Sequence, residues 1–330
     1  MLHCSCSPGG VGHALALEFA SHGMRVFATA RSASSLSTLA EKGIETFELD
    51  VTNAESITAL RDDIFKQTGG KLDMLFNNAG SSMSRSVPPH TALQHSVNSF
   101  TVSPILTSVT VYEAPAIEAD PARIRGMFDT NVFGLFDMVS AFTPLLLAST
   151  TKSATPPVII NTSSVLARMP FAFSAAYNAS KAAVASYSDT LRIELGPLGI
   201  KVVTLFMGEV STNLMSPDNI SFDPESIYTA ALEGTKERSR NHAKNSMKPE
   251  VFAKQVVQAI LAKSSGYGKG EFLWKGTNAW AIWFLNLVGW RYMLDNIVKK
   301  TIGFEKKEIR KSILDKARNL WTKEKVQGNQ

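Results

Sequence analysis

Tyr177 and Lys181 stand four residues apart in a stretch whose apolar spacing predicts one helix over 175–195. That spacing puts a phenol and an ammonium on one helix face. A free tyrosine titrates at about 10. A cation beside it favours the phenolate and lowers that value. Such a tyrosine can hand a proton to a developing alkoxide near neutral pH. Ser164 lies 13 residues before Tyr177, just past the buried strand predicted over 158–161, where its hydroxyl could hold a carbonyl oxygen beside the phenol. The implied chemistry is proton donation to a C=O under reduction. Taken alone, the Tyr and Lys spacing equally describes a solvated helix face.

Reduction needs a hydride source, and the N-terminal residues offer a place for one. Ser7, Pro8, Gly9, Gly10, Val11 and Gly12 lead directly into a predicted helix. Glycines at such a turn let the backbone approach a pyrophosphate, and a helix N-terminus presents free N–H groups and a positive dipole end. A plain turn is the competing reading of a lone glycine cluster. Arg31 ends the next predicted strand, 19 residues after Gly12. An acidic residue there would bind the ribose 2′-hydroxyl of NAD; an arginine suits a 2′-phosphate, so the cofactor expected is NADP, as NADPH.

These residues need a scaffold, and the hydrophobic periodicity supplies one. Predicted strands at 24–30, 44–49, 72–76, 158–161 and 200–206 alternate with predicted helices at 14–19, 35–41, 54–67, 120–149, 175–195 and 250–263, and 270–274 is a candidate last strand. This alternation predicts the α/β class: a doubly wound parallel sheet, Rossmann-like, in a single domain with a C-terminal apolar and basic extension. Residues 211–247 read as polar and irregular with helical patches.

Composition narrows the function classes. The 330 residues are 44% apolar and 19% charged, enough for one large core. Cys4 and Cys6, the only two cysteines, exclude a disulfide framework and cannot alone hold a four-ligand zinc, so no metal site is expected. The sequence shows neither a signal-peptide pattern nor a run of 18 apolar residues. The net charge of +5 is uneven: 291–330 holds eleven Lys and Arg against five Asp and Glu, and the first 290 residues carry 23 basic and 24 acidic side chains. A near-neutral body argues against nucleic acid as a partner.

Taken together and in this order, Asn77, Asn78, Ala79 and Gly80, then Asn131, Ser164, Tyr177 and Lys181, resemble the short-chain dehydrogenase/reductase family over about residues 1–275. The resemblance implies that Tyr177 donates the proton, Ser164 orients the carbonyl, Lys181 binds the nicotinamide ribose and tunes Tyr177, and Asn131 completes a proton relay. It implies that Asp50 faces the adenine and that the Asn78 turn backs the adenosine ribose. It also implies that Met207 to Thr212, with Val210 and Thr212, covers the nicotinamide, although Met207 replaces the usual proline. Within the family, 6–12, 27–31 and the Trp-rich end resemble fungal NADPH-dependent 1-acyldihydroxyacetone-phosphate reductases. These imply a lipophilic ketone substrate, a place on endoplasmic reticulum or lipid droplets, and commonly a homo-oligomer. Relatives acting on other ketones in fungal secondary metabolism are the alternative, and a catalytically inactive product of a faulty gene model is a third reading.

Two departures support that third reading. The first strand is clipped, with Cys4 and Ser5 where the family has Thr-Gly, and with His3 at an apolar position. Residues 81–111 hold eight serines, three prolines, one arginine and no acidic residue, with no sustained period. A structureless loop of that length is uncommon inside a compact domain, so the segment reads as translated intron. Two regions near the C-terminus complete the expectations. Residues 213–247 should form a substrate lid, in which Lys236, Arg238, Arg240 and Lys244 are either phosphate ligands or a solvated charged face. Residues 279–290 are apolar and Trp-rich, short for a membrane span. Ahead of a basic tail they suggest peripheral membrane contact, with packing on the protein's own core as the alternative.

Overall fold

The computed structural model describes residues 1–3, 6–78, 113–150, 155–212, 220, 222–262, 271–289 and 291–327. In chain order the elements are β1 (Leu2–His3), α1 (Val11–Ser21), β2 (Phe27–Ala30), α2 (Ser37–Ala40), β3 (Glu45–Glu48), α3 (Ala54–Thr68), β4 (Met74–Asn77), α4 (Pro121–Phe128), α5 (Gly134–Ser149), β5 (Val158–Ser164), α6 (Ala175–Leu195), β6 (Lys201–Met207), α7 (Leu232–Asn245), α8 (Pro249–Leu261), β7 (Phe272–Lys275), α9 (Ala279–Leu287), α10 (Arg291–Thr301) and α11 (Lys307–Gln327). The strands form one parallel sheet ordered β3-β2-β1-β4-β5-β6-β7. Strand order reverses between β1 and β4, and in such sheets ligands bind outside the carboxyl ends at that point.

Successive strand side chains point to opposite faces, and both faces are covered. Phe76 and Ile160 pack with Leu15 and Phe19 of α1 and Phe252 and Val256 of α8. Their sequence neighbours Leu75 and Ile159 pack on the other side with Ile64 of α3, Phe142 and Leu146 of α5 and Leu195 of α6. This double burial is why Met74 to Phe76 of β4 and Val158 to Ile160 of β5 read as apolar runs. The stretch Pro121–Ser149 is long and apolar enough to cross a membrane by length and composition. Leu135, Met138, Val139, Phe142, Leu145 and Leu146 of that stretch lie in this core.

The clipped first strand still occupies the sheet centre. Leu2 lies opposite Phe27 on one side and Leu75 on the other. Met1 O accepts from Phe27 N at 2.9 Å, and Cys6 N donates to Thr29 O at 2.8 Å, so pairing continues past the strand's two residues.

Two expectations needed correction. β5 runs to Ser164 rather than ending at 161, because its polar half, Asn161 to Ser164, is buried against partners rather than exposed. Residues 232–245 are one continuous helix, α7, whose charged sequence hid it. The 81–111 segment, Ala79, Gly80, Cys4, Ser5 and the side chain of His3 lie outside the described residues, as does most of 213–221.

Candidate active site

At the amino end of α1, Gly10 N donates to Ser7 O at 3.1 Å and closes a tight turn. Gly9 sits at φ 70°, where a Cβ is strained. A Cβ on Gly10 would lie 3.0 Å from Ser7 O. No side chain caps this helix end. Val11 and Gly12, both buried, form its first turn, so the terminus presents backbone N–H groups with no side-chain cap. This cradle suits a pyrophosphate.

Arg31 follows β2 directly and is exposed, and Asp50 follows β3 close by. Partial burial lowers the guanidinium's affinity for its proton and the Asp50 charge restores some of it, which leaves Arg31 a cation. Asp50 Oδ1 accepts from Thr52 N at 2.9 Å and from Thr52 Oγ1 at 2.7 Å, which fixes the carboxylate. Asn78 is half-buried just past β4.

The reacting groups gather where β5, β6 and α6 meet. Ser164 ends β5 and pairs in register with Met207 of β6. Its Oγ accepts from Leu166 N at 3.1 Å, contacts Met207 O at 3.4 Å and hydrogen-bonds with the Tyr177 phenol. Lys181, buried, donates from Nζ to Thr162 O at 3.0 Å and lies 5.9 Å from the centre of the Tyr177 ring. Asn131 sits on a π-helical turn, Asp129–Phe133, between α4 and α5. Its Nδ2 donates to Ser180 Oγ at 3.0 Å, and Ser180 Oγ donates to Tyr177 O at 2.8 Å. A π turn opens the helical ladder and turns a residue off the regular face, which brings Asn131 to the catalytic helix.

One electrostatic expectation is reversed. Burial raises the Tyr177 phenol above its usual value, and the Ser164 hydrogen bond only partly opposes this. Burial also brings the Lys181 ammonium down, to about 8. The ammonium is turned to the Thr162 carbonyl, so desolvation outweighs its pull on the phenol. Tyr177 is therefore protonated at neutral pH, the form a proton donor requires.

The sequence did not point to the side chains that hold this arrangement. Ser163 Oγ donates to Lys181 O at 2.8 Å. Asn77 Nδ2 donates to Asn161 Oδ1 at 2.9 Å, and Asn161 Nδ2 donates to Ser188 Oγ at 3.0 Å. The available signal was a polar run, Asn161 to Ser164, closing an apolar strand and followed by a Ser-containing helix. Val210 is buried and bridges Met247, Thr212 is half-buried beyond it, and Glu209 pairs with Thr277 at 3.1 Å in both directions. The Met207–Thr212 turn is thus tied to chain on both sides.

The two arginines of α7 singled out in the sequence are engaged. Arg238 donates to Glu113 Oε2 at 2.5 Å and lies 4.0 Å from the Phe171 ring centre, with side chains 8% and 1% exposed for the ion pair. Arg240 pairs with Glu233 at 2.9 Å and Glu237 at 2.5 Å. On α9, Ala279 and Ile282 pack against Val165, Leu166 and Trp274, while Trp280 (68% exposed), Phe284 and Leu287 face outward.

A family model described as short chain dehydrogenase matches residues 6–221. The chain is 32% identical over 292 residues to the short-chain dehydrogenase fogD of Aspergillus ruber, covering 88% of this chain and 89% of that protein. It is 36% identical over 216 residues to the NADPH-dependent 1-acyldihydroxyacetone phosphate reductase of Schizosaccharomyces pombe, covering 66% of this chain and 61% of that one. In fold it resembles a short-chain dehydrogenase from Streptomyces avermitilis, with a TM-score of 0.66 at 24% identity over 92% of this chain and 96% of the other.

Proposed function

The chain belongs to the short-chain dehydrogenase/reductase family, and from that premise we propose that it uses NADPH to reduce a ketone on a lipophilic substrate to a secondary alcohol. The observation that carries the proposal is the protonated Tyr177 bonded to Ser164 beside a buried Lys181, at the carboxyl end of the strands next to the crevice. Ser164 Oγ holds the substrate oxygen and Tyr177 releases its proton to that oxygen as negative charge develops there. Asn131, through Ser180 and the Tyr177 carbonyl, fixes the turn of α6 on which the phenol stands. When bound, the reduced nicotinamide supplies the hydride to the carbonyl carbon.

The residues present fit that cofactor. Ser7, Gly9, Gly10, Val11 and Gly12 form the pyrophosphate cradle. When the cofactor is bound, Arg31 would meet the 2′-phosphate, Asp50 and Asn78 would border the adenosine, Lys181 would take the ribose, and Val210 and Thr212 would cover the nicotinamide. NADPH appears in the S. pombe relative's name, which supports the same choice here.

Between the substrates considered, a neutral ketone fits better than a phosphate ester. Of the four α7 cations that a phosphate could recruit, Arg238 and Arg240 are committed to Glu113, Glu233 and Glu237, which leaves Lys236 and Lys244. The outward face of α9 and the basic residues after it support a place at an anionic cytoplasmic membrane or lipid-droplet surface.

The test is binding followed by turnover. Tryptophan-fluorescence titration should give a micromolar NADPH dissociation constant, with NADH bound far more weakly and the gap closed by Arg31→Asp. Tyr177→Phe should keep NADPH affinity and lose about 10²–10⁴-fold in kcat/KM for ketone reduction. Full activity in Tyr177→Phe, or equal affinity for the two nucleotides, would overturn the reading.

A further inference from the structure

Phe173 has an unusual position. It is buried, it adopts a left-handed backbone at φ 68°, and the next residue, Ser174, is the N-cap position of α6. A bulky side chain in that conformation is strained and persists only where its surroundings enforce it. Tyr177 follows four residues later. Whatever holds Phe173 therefore sets where the catalytic helix begins.

Much of the aromatic packing around Phe173 comes from beyond residue 220. Its ring meets Phe222 at 4.9 Å, Tyr228 at 5.7 Å and Phe304 at 5.9 Å, all edge-on, the favoured aromatic geometry. Phe304 follows α10. Ile302, two residues earlier, is fully buried in the same cluster with Ile220 and Ala231. The approach is close: a Cβ on Gly234 of α7 would lie 2.8 Å from Ile302 O. Further on, α11 adds a polar tie, for Lys316 Nζ donates to Pro224 O at 2.9 Å and to Thr229 Oγ1 at 3.3 Å. Segment 302–316 thus grips 222–234 from outside and presses it on the loop that joins Ser164 to Tyr177.

We infer that Ile302, Phe304 and Lys316 are positioning residues for the reduction: the C-terminal segment clamps 222–234 onto Phe173 and so fixes the start of the catalytic helix and the substrate wall beside it. None of these residues touches the reacting atoms. The inference rests on the reductase reading only for its kinetic consequence; the clamp itself is measurable without substrate.

The experiment uses the full chain and the variants Phe304→Ala, Phe304→Leu and Lys316→Met. Hydrogen exchange should rise about tenfold or more at 171–176 and 222–234 in Phe304→Ala, with the central strands unchanged and most protection restored by Phe304→Leu. The NADPH dissociation constant should stay within about threefold, because the pyrophosphate cradle lies on other elements. With 2-decanone as the probe ketone, kcat/KM should fall about tenfold, with KM rising more than kcat falls, and Leu should recover most of it. Unchanged exchange at 171–176 in Phe304→Ala overturns the inference. If Phe304→Ala instead loosens the whole sheet, Lys316→Met decides: raised exchange at 222–234 and 171–176 supports the clamp, and no change at either refutes it. A wild type that binds NADPH and reduces no ketone, with the variants showing these exchange effects, would sink the reductase reading and leave the clamp standing.

Discussion

A lysine whose ammonium is buried and held at about 8 makes the catalytic centre sensitive to alkali. The unfolded chain keeps that proton to about 10.4. Between about pH 8 and that value the unfolded state binds more protons than the folded one, so stability rises with pH across the window. Activity moves the other way, because losing the cation beside Tyr177 removes the charge that would bind and orient ribose. We expect kcat/KM for NADPH, which reports the free enzyme, to fall with an inflection at about pH 8. The urea midpoint should climb over the same range, and Lys181→Met should abolish both trends. A flat alkaline limb in the wild type would show that Lys181 stays charged. Tyr177, Lys181 and Ser164 were legible at this scale because their types and spacing carry chemistry. The raised phenol was not legible, because desolvation depends on what surrounds a group and not on its sequence neighbours.

At the scale of elements, most helices and strands followed from their apolar period, and the failures share a cause. β5 was cut short because its last four residues are polar, yet each half of that run bonds to the catalytic helix or to β4. α7 reads as patches in sequence because its buried Arg238 looks like its more exposed Arg240. The apolar, Trp-rich sequence of α9 suits either a membrane surface or the protein's own core, and the helix has two faces. Ala279 and Ile282 face the protein, while Trp280, Phe284 and Leu287 face out, with the Trp280 and Phe284 rings 5.7 Å apart and nearly parallel. Full-length protein should co-sediment with phosphatidylserine vesicles and less with neutral ones. Trp280→Glu with Phe284→Glu should reduce vesicle binding about tenfold or more while NADPH affinity holds. Equal binding by that variant would assign the outward face to another occupant.

Across the whole molecule, distant segments converge on the short loop before the catalytic helix. Ala114 N donates to Phe173 O at 2.8 Å, Arg238 Nη1 donates to Ala172 O at 3.3 Å, and the buried Glu113–Arg238 pair lies beneath. Burial raises the Glu113 carboxyl and lowers the Arg238 guanidinium toward their neutral forms, and each partner's charge opposes that. Such a pair is costly to break and need not be costly to replace. Arg238→Met should lose about 3–5 kcal/mol in urea unfolding, and Glu113→Met with Arg238→Met should recover most of it. A loss below about 1 kcal/mol in the single variant would mean the charges are not desolvated. No local pattern in the sequence could announce this convergence, since its parts are scattered from 113 to 316.

The packing of Phe304 on Phe173 also orders events in time. A growing chain presents Phe304 131 residues after Phe173. At about 5–20 residues per second of synthesis, that is an interval of roughly ten seconds. During it, the sheet from β1 to β5 can assemble while the head of the catalytic helix waits for its last partner. A nascent chain would then carry Ser164, Tyr177 and Lys181 on a nearly finished sheet and still be unready to act, so the enzyme would be switched on by its own completion.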